Sequence, residues 1–219
     1  MSTSALAVIN EAALSIGDPK FTRVTRNDWR DFLNRSCRDM ARKLRLVKRK
    51  ATFDIVAEQE YALPEDCVQV SRMEYNDTPV DKATWFEVRE KFQDDFRDAT
   101  DGSYASGRPD EYFADTDTFY LYPRPDVAVA AGGRITYWGM PDEVTDEAVQ
   151  VLPIRDVLRD TLRERMEVYG LRRLERFDKA QKAEEEWLAS LTTDRDRLED
   201  RSADRRARLR TGVMSFGER

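Results

Sequence analysis

The sequence predicts an α+β protein, and three observations carry that expectation. Apolar residues recur at helical spacing toward both ends of the 219-residue chain, whereas the centre changes to strand-like alternation broken by turn residues. Charge changes with the period: residues 1–50 carry 12 Lys/Arg against 5 Asp/Glu, residues 51–150 carry 8 against 23, and residues 151–219 carry 17 against 15. A hydrophobic content of 40% is enough to build a core at this length. The expected layout is a helical bundle made by N-terminal helices in residues 1–50 and C-terminal helices in residues 151–192. An acidic β-rich module with one helix is inserted over residues 51–150, and residues 193–219 form an extended charged helix or tail.

Leu6, Ile9, Ala13 and Ile16 recur at helical spacing, and Gly17-Asp18-Pro19 supplies cap and break signals, so a short amphipathic helix is expected there. Thr25 stands three residues before Asp28, a variant of the capping box. It opens a stripe of Trp29, Phe32, Leu33, Cys37, Met40, Leu44 and Val47, about five turns of helix. The opposite face carries Arg30, Arg35, Arg38, Arg42, Lys43 and Arg45, either a solvated face or a partner-binding strip.

From Ala51 the period becomes strand-like. Phe53 and Ile55, then Tyr61 and Leu63, alternate on either side of Glu58-Gln59-Glu60 and read as a hairpin ended by Pro64. Residues 68–75 form a further strand, followed by a turn at Asn76-Asp77-Thr78-Pro79. Thr84 and Glu87 make a full capping box ahead of a helix with the stripe Trp85, Val88, Phe92 and Phe96, and residues 98–108 read as an exposed loop. The run Phe119-Tyr120-Leu121-Tyr122 is a strand closed by Pro123-Arg124-Pro125-Asp126. A turn at Gly132-Gly133 leads into Arg134-Ile135-Thr136-Tyr137-Trp138, so a hairpin is expected between these two strands.

Helical spacing returns with Ile154, Val157, Leu158, Thr161, Leu162, Arg165, Met166 and Tyr169, starting after Pro153 at the favoured first-turn position. Gly170 allows a cap or a bend. Leu171, Leu174, Phe177, Ala180, Trp187 and Leu191 continue the pattern, as two adjacent helices or one bent helix. Between residues 194 and 210, 12 of 17 positions are charged, 7 of them arginine and 5 acidic. Such a stretch cannot bury itself, so it is either a frayed helix or mobile tail, or a segment that orders on a partner. In the second case its arginines act as carboxylate clamps and Val213, Met214 and Phe216 as apolar anchors.

The composition excludes much chemistry. The chain has no histidine, which removes the commonest metal ligand and the residue most used for proton transfer near neutral pH. Asp94-Asp95 and Asp115 with Asp117 read as solvated faces and turns rather than catalytic pairs. No phosphate-cradling glycine motif is present. Cys37 and Cys67 are expected as buried free thiols. No enzymatic activity, cofactor or metal is therefore expected. No apolar run approaches the roughly 20 residues needed to span a bilayer, and no signal peptide is read at the N-terminus, so neither export nor a membrane span is expected. The acidic centre would repel phosphates, leaving the two ends as the parts able to grip anions.

Several short motifs occur in a distinctive order. They are Ile9-Asn10-Glu11-Ala12 in the opening helix, Tyr61-Ala62-Leu63-Pro64-Glu65-Asp66, Gly107-Arg108-Pro109 with Tyr112, Leu121-Tyr122-Pro123-Arg124-Pro125, and Tyr137 with Pro141 before Leu152-Pro153. In this order, from the opening helix to the helix ending at Tyr169, the chain resembles the head-to-tail adaptor (connector) proteins of tailed bacteriophages. The resemblance implies a structural virion protein, assembled in the host cytoplasm. It would form a homo-oligomeric ring, commonly of twelve copies, between the portal protein and a tail or nozzle protein. DNA would pass through its channel without specific binding. In such adaptors the C-terminal segment reaches into the portal, which implies portal contact for Arg195, Arg197, Arg201, Arg205, Arg206, Arg208, Arg210, Val213, Met214 and Phe216. Two other readings stand beside it: a soluble helical assembly or regulatory protein that binds partners through its charged tail, and a nucleic-acid-binding protein that uses its arginine-rich ends.

Overall fold

A computed structural model of the chain describes residues 4–56, 60–84, 86–87, 106–148 and 150–214, with side chains as far as Glu199. The fold is α+β, as expected, and the chain divides into two compact units. One comprises Met1–Leu44 with Pro141–Arg219, and the other is Arg45–Met140.

The first unit is helical. In α1 (Ala5–Ser15), Ser4 caps the N-terminus by accepting the Ala7 N–H, and Ala5, Val8, Ile9, Ala12 and Ala13 are buried. Leu6, expected on the buried stripe, is only half-buried. Gly17 takes φ +82°, and the loop that follows is organised by one buried side chain: the Asp18 carboxylate accepts the N–H groups of Thr22, Arg23 and Val24 and the Thr22 hydroxyl. The reciprocal box of Thr25 and Asp28 then opens α2 (Arg26–Leu44), as expected. Its buried face holds Trp29, Phe32, Leu33, Cys37 and Met40. The helix stops at Leu44 and Arg45 turns left-handed at φ 51°, so Val47, expected on the helical stripe, begins a strand instead.

The chain returns to this unit through residues 141–155, where Asn34 of α2 exchanges two hydrogen bonds with the backbone of Val144. A 3-10 turn over Asp156–Leu158 leads into α3 (Arg159–Arg173), so helix begins three residues beyond Pro153 rather than at it. Gly170 neither caps nor bends this helix. It lies inside α3, where a Cβ would stand 2.8 Å from both Ile16 Cδ1 and Trp29 Cη2, so the absent side chain permits close packing. The break falls at residues 174–176, where Glu175 adopts φ 58° and Arg176 donates its N–H back to the Leu171 carbonyl. There are accordingly two helices here, not one bent helix. The second, α4, runs from Phe177 to Met214 and buries Ala180, Trp187 and Leu191. Within the unit α3 touches α1, α2 and α4.

The second unit is built on β1 (Val47–Ile55), β2 (Glu60–Ala62), β3 (Cys67–Tyr75), β4 (Thr78–Lys82), β6 (Glu111–Ala114), β7 (Thr118–Tyr122) and β9 (Val129–Gly139), in the order β1-β9-β3-β4-β6-β7-β2. The short strands β5 (Ser106–Gly107) and β8 (Arg124–Pro125) pair separately. The β4–β6 pair is parallel and the other neighbours in the large sheet are antiparallel. The sheet curls: the ring of Phe53 on one outer strand reaches Tyr61 on the other at 5.3 Å between centroids, and both pack with Phe119. Ile55, Met73, Leu121, Ile135 and Tyr137 complete this core.

Two expected hairpins do not form. β1 pairs with β9, and β2 pairs with β7, although Phe53 and Ile55 precede Tyr61 closely in sequence. Likewise the strand of Phe119 to Tyr122 pairs with β6 and β2, not with the strand of Ile135. The hairpin present there is β6–β7, turned by Asp115-Thr116-Asp117. Gly132 and Gly133 lie within β9 rather than in a turn. A Cβ on Gly133 would overlap the ring of Phe53, so this glycine makes room for an aromatic neighbour instead of reversing the chain. The turn expected at Asn76–Pro79 is confined to Asn76 and Asp77, both left-handed at φ 45° and 59°; Thr78 and Pro79 already belong to β4, so the chain forms a β3–β4 hairpin that was not expected. Thr84 and Glu87 form their capping box, while the expected helix stripe of Trp85, Val88, Phe92 and Phe96 lies outside the described residues.

Candidate partner-docking surface

Of the predicted docking residues, those from Arg195 to Met214 belong to the C-terminal part of α4, whose base is fixed to the helical unit by two polar junctions. Arg165 of α3 is the centre of the first. Its guanidinium pairs with Asp39 of α2 at 2.7 Å and with Glu184 of α4 at 2.9 Å, and its side chain is 11% exposed. The same guanidinium lies 4.3 Å from the Trp187 ring centroid and 4.7 Å from that of Tyr169, whose hydroxyl donates to Asp39 at 2.8 Å. Arg172 also binds Glu184, and Lys43 lies over the Trp187 ring at 5.7 Å from its centroid. Planar stacking with a two-sided carboxylate clamp is arginine geometry that lysine cannot reproduce.

The second junction is deeper in the charged segment. Asp194 is buried and accepts the Thr161 hydroxyl of α3 at 2.5 Å. Sequence composition places Asp194 at the start of a stretch unable to bury itself, yet this residue packs as part of the unit. Beside it Val157, Leu158, Arg197 and Leu198 line a shallow hollow, and Val157 is 44% exposed.

Beyond this point the described arginines of the predicted set are exposed and weakly held. Arg195 pairs with Glu199 at 3.1 Å one helical turn on, both about two-thirds exposed, and Arg197 lies 3.6 Å from Asp194. The Arg195–Glu199 pair is exposed on both sides and worth little, so Arg195 can exchange partners at small cost, whereas Arg197 stands over the buried Asp194 carboxylate. Arg201, Arg205, Arg206, Arg208, Arg210, Val213 and Met214 follow on the same helix, and Phe216 lies outside the described residues.

The basic face of α2 is partly engaged within its own unit. Arg30 donates to the Thr145 carbonyl and lies 3.8 Å from Glu147, and Arg38 pairs with Glu143 at 3.5 Å. Arg35 and Arg42 remain exposed on that face. The acidic residues weighed as catalytic pairs behave as turn chemistry where they are described: Asp115 accepts the Thr116 N–H and, with Asp117, is exposed. Asp94 and Asp95 lie outside the described residues. Among the described residues no group of Cys, Asp and Glu side chains is arranged to hold a metal ion, and no helix is long and apolar enough to cross a membrane. Cys37 and Cys67 are free thiols. Burial pushes Cys37 up to about 12, and burial with the neighbouring Asp66 charge raises Cys67 to about 11, so neither is poised as a nucleophile.

Sequence reading passed over the Arg165 junction, although it left a signal: Arg165 falls on an otherwise apolar helical stripe, where a charge needs a partner. Asp39 and Glu184 carry no comparable mark, being ordinary acids on amphipathic helices. No curated protein matches the sequence. The model of the SU10 adaptor protein family matches residues 3–213, nearly the whole chain.

Proposed function

The chain belongs to the SU10 adaptor protein family, and from that premise we propose that it is a structural virion protein which forms a ring between portal and tail and extends the DNA channel. The observation that carries this reading is the length of the match, which takes in both units and all but the end of α4. In this reading the helical unit is a bundle that forms the body of each subunit. Copies associate laterally through mixed-charge surfaces, twelve to a ring, and a tail or nozzle protein joins below. The charged end of α4 is the portal-docking element. Its base is held by the Arg165 and Asp194 junctions, while Arg195 has only an exposed intrahelical pair to give up. Arg201, Arg205, Arg206, Arg208 and Arg210 clamp portal carboxylates, and Val213, Met214 and Phe216 supply the apolar anchors. No catalytic step is part of the role.

Electron microscopy of the purified chain mixed with its cognate portal tests the proposal. The expected result is a closed ring stacked on the portal. A chain that ignores the portal, or that forms only a discrete dimer, would overturn the reading.

A further inference from the structure

The β unit is acidic overall, with 12 Lys/Arg against 19 Asp/Glu in residues 45–140. Its strand register nevertheless collects cations on one face. Residues Ala51, Phe53, Val70, Met73, Ile135 and Tyr137 of β1, β3 and β9 turn toward the core, so their sequence neighbours point the other way. On that outer face Lys48 stands opposite Trp138 and Trp138 opposite Gln69. In the next row Lys50 faces Thr136 and Thr136 faces Arg72, and beyond it Thr52 faces Arg134 and Arg134 faces Glu74. Directly opposed side chains are about 5 Å apart at Cβ. Lys48, Lys50, Arg72 and Arg134 thus form one exposed patch although they come from three separated stretches of sequence.

The acids on this face, Glu74, Asp77 and Asp54, make no ion pair with its two lysines; Asp54 accepts the Ala131 N–H. Glu74, only 14% exposed, is shared by Arg72 at 2.8 Å and Arg134 at 3.1 Å, and Asp77 meets Arg134 at the end of the strand. Lys48 lies over the Trp138 ring at 5.6 Å, and Lys50 has no ion-pair partner among the described residues.

We propose that the outer face of β1, β9 and β3 is a sequence-independent contact surface for the phosphates of duplex DNA. A protein partner would need apolar anchors at the centre of the contact, and among the paired residues of these three rows the face offers none: Trp138 is half-buried beneath Lys48, and the others are polar or charged. The two arginines already hold Glu74, so the charges left to a ligand are lysine ammoniums, hydrated point charges on flexible stems. Such groups meet phosphates without fixing register, and the acidic remainder of the unit repels the duplex elsewhere. The contact is therefore weak, oriented and free to slide. This inference rests on the channel reading for the source of the DNA.

The test titrates a short labelled duplex with the full-length chain at several salt concentrations, followed by anisotropy. The wild type is expected to bind weakly, with affinity falling as salt rises. In K48Q/K50Q the slope of log affinity against log salt should fall in magnitude by about 2, at roughly 0.9 for each phosphate that a lysine no longer neutralises, with roughly tenfold weaker binding at low salt. Absence of salt-dependent binding by the wild type overturns the proposal. So does an unchanged slope in K48Q/K50Q, whether the DNA is then held by the arginines of α4 or the face serves association between copies. Portal-mounted rings form with this variant as with the wild type; if neither forms them, the channel reading fails, and the DNA titration decides the face separately.

Discussion

Gly170 of α3 lies so close to Trp29 of α2 that a Cβ on the glycine would stand 2.8 Å from Cη2 of the indole. Trp29 is fully buried and Ile16 crowds the same point, so the ring has nowhere to turn. Gly170→Ala in an open helix would stabilise by about 1 kcal/mol through helix propensity. Here overpacking costs about 1–3 kcal/mol and wins. The expected outcome is a net loss of about 1 kcal/mol, read as a lower urea midpoint with an unchanged slope. A raised midpoint would show that the three helices are packed less closely than this.

Arg165 ties α2, α3 and α4 through Asp39 and Glu184. Removing one partner of a fully buried pair costs about 3–5 kcal/mol; Asp39 and Glu184 are 24% and 31% exposed, so water can recover part of that. Arg165→Ala should therefore destabilise the chain by about 2–3 kcal/mol. Arg165→Lys keeps the charge but loses the clamp and the stacking on Trp187, and should recover less than half of the deficit. Full rescue by lysine in urea unfolding would contradict the geometric role given to the guanidinium.

Asp18 predicts an acid limb in the stability profile. Burial acts to raise its pKa, but the N–H groups of Val24, Thr22 and Arg23 and the Thr22 hydroxyl outweigh it, holding the carboxyl at about 2 against an ordinary 3.8. A carboxyl whose pKa is lowered on folding contributes stability above its unfolded value and loses it as pH falls through the folded one. The contribution of Asp18 is thus complete above pH 3.8 and fades toward pH 2. Asp18→Asn should melt below the wild type at neutral pH, with the gap narrowing through that window. A gap independent of pH would mean that shape, not charge, organises the loop between α1 and α2.

What could be read from the sequence was local. The boxes at Thr25 and Thr84 and the turn at Asn76-Asp77 are specified by residues within four positions of one another, and all three are present. Strand partners are not local: nothing near Phe53 announces that β1 pairs with β9, some eighty residues on, instead of with β2. Glycine misled for a related reason. It marks either a turn or a close approach, and at Gly132, Gly133 and Gly170 the second applies, with neighbours supplied by distant segments. The charged segment was legible as composition alone, because its arginines outnumber its acids in plain sequence. Its attachment through Thr161 and Asp194 was not, since an acid in a charged run looks solvated until the helix opposite it is known.

That attachment decides where the segment proposed to dock can be cut. Asp194 is buried and accepts the Thr161 hydroxyl, and Leu191 one turn earlier is buried as well, so deletion from residue 192 would remove a junction of the helical unit together with the arginines proposed to dock. A stop after Glu199 spares both. It also keeps Arg195 and its partner Glu199, and removes only residues 200–219, with five of the seven arginines and all three apolar anchors. The shortened chain should keep the wild-type unfolding free energy within about 0.5 kcal/mol, because so charged a stretch offers few apolar side chains to bury, yet fail to co-sediment with the portal. A second variant reverses Arg205, Arg206 and Arg208 to glutamate in the full-length chain and should lose portal binding without shortening the helix. If the shortened chain still mounts closed rings on the portal at the wild-type level, residues 200–219 are a solvated extension and portal docking belongs to another surface.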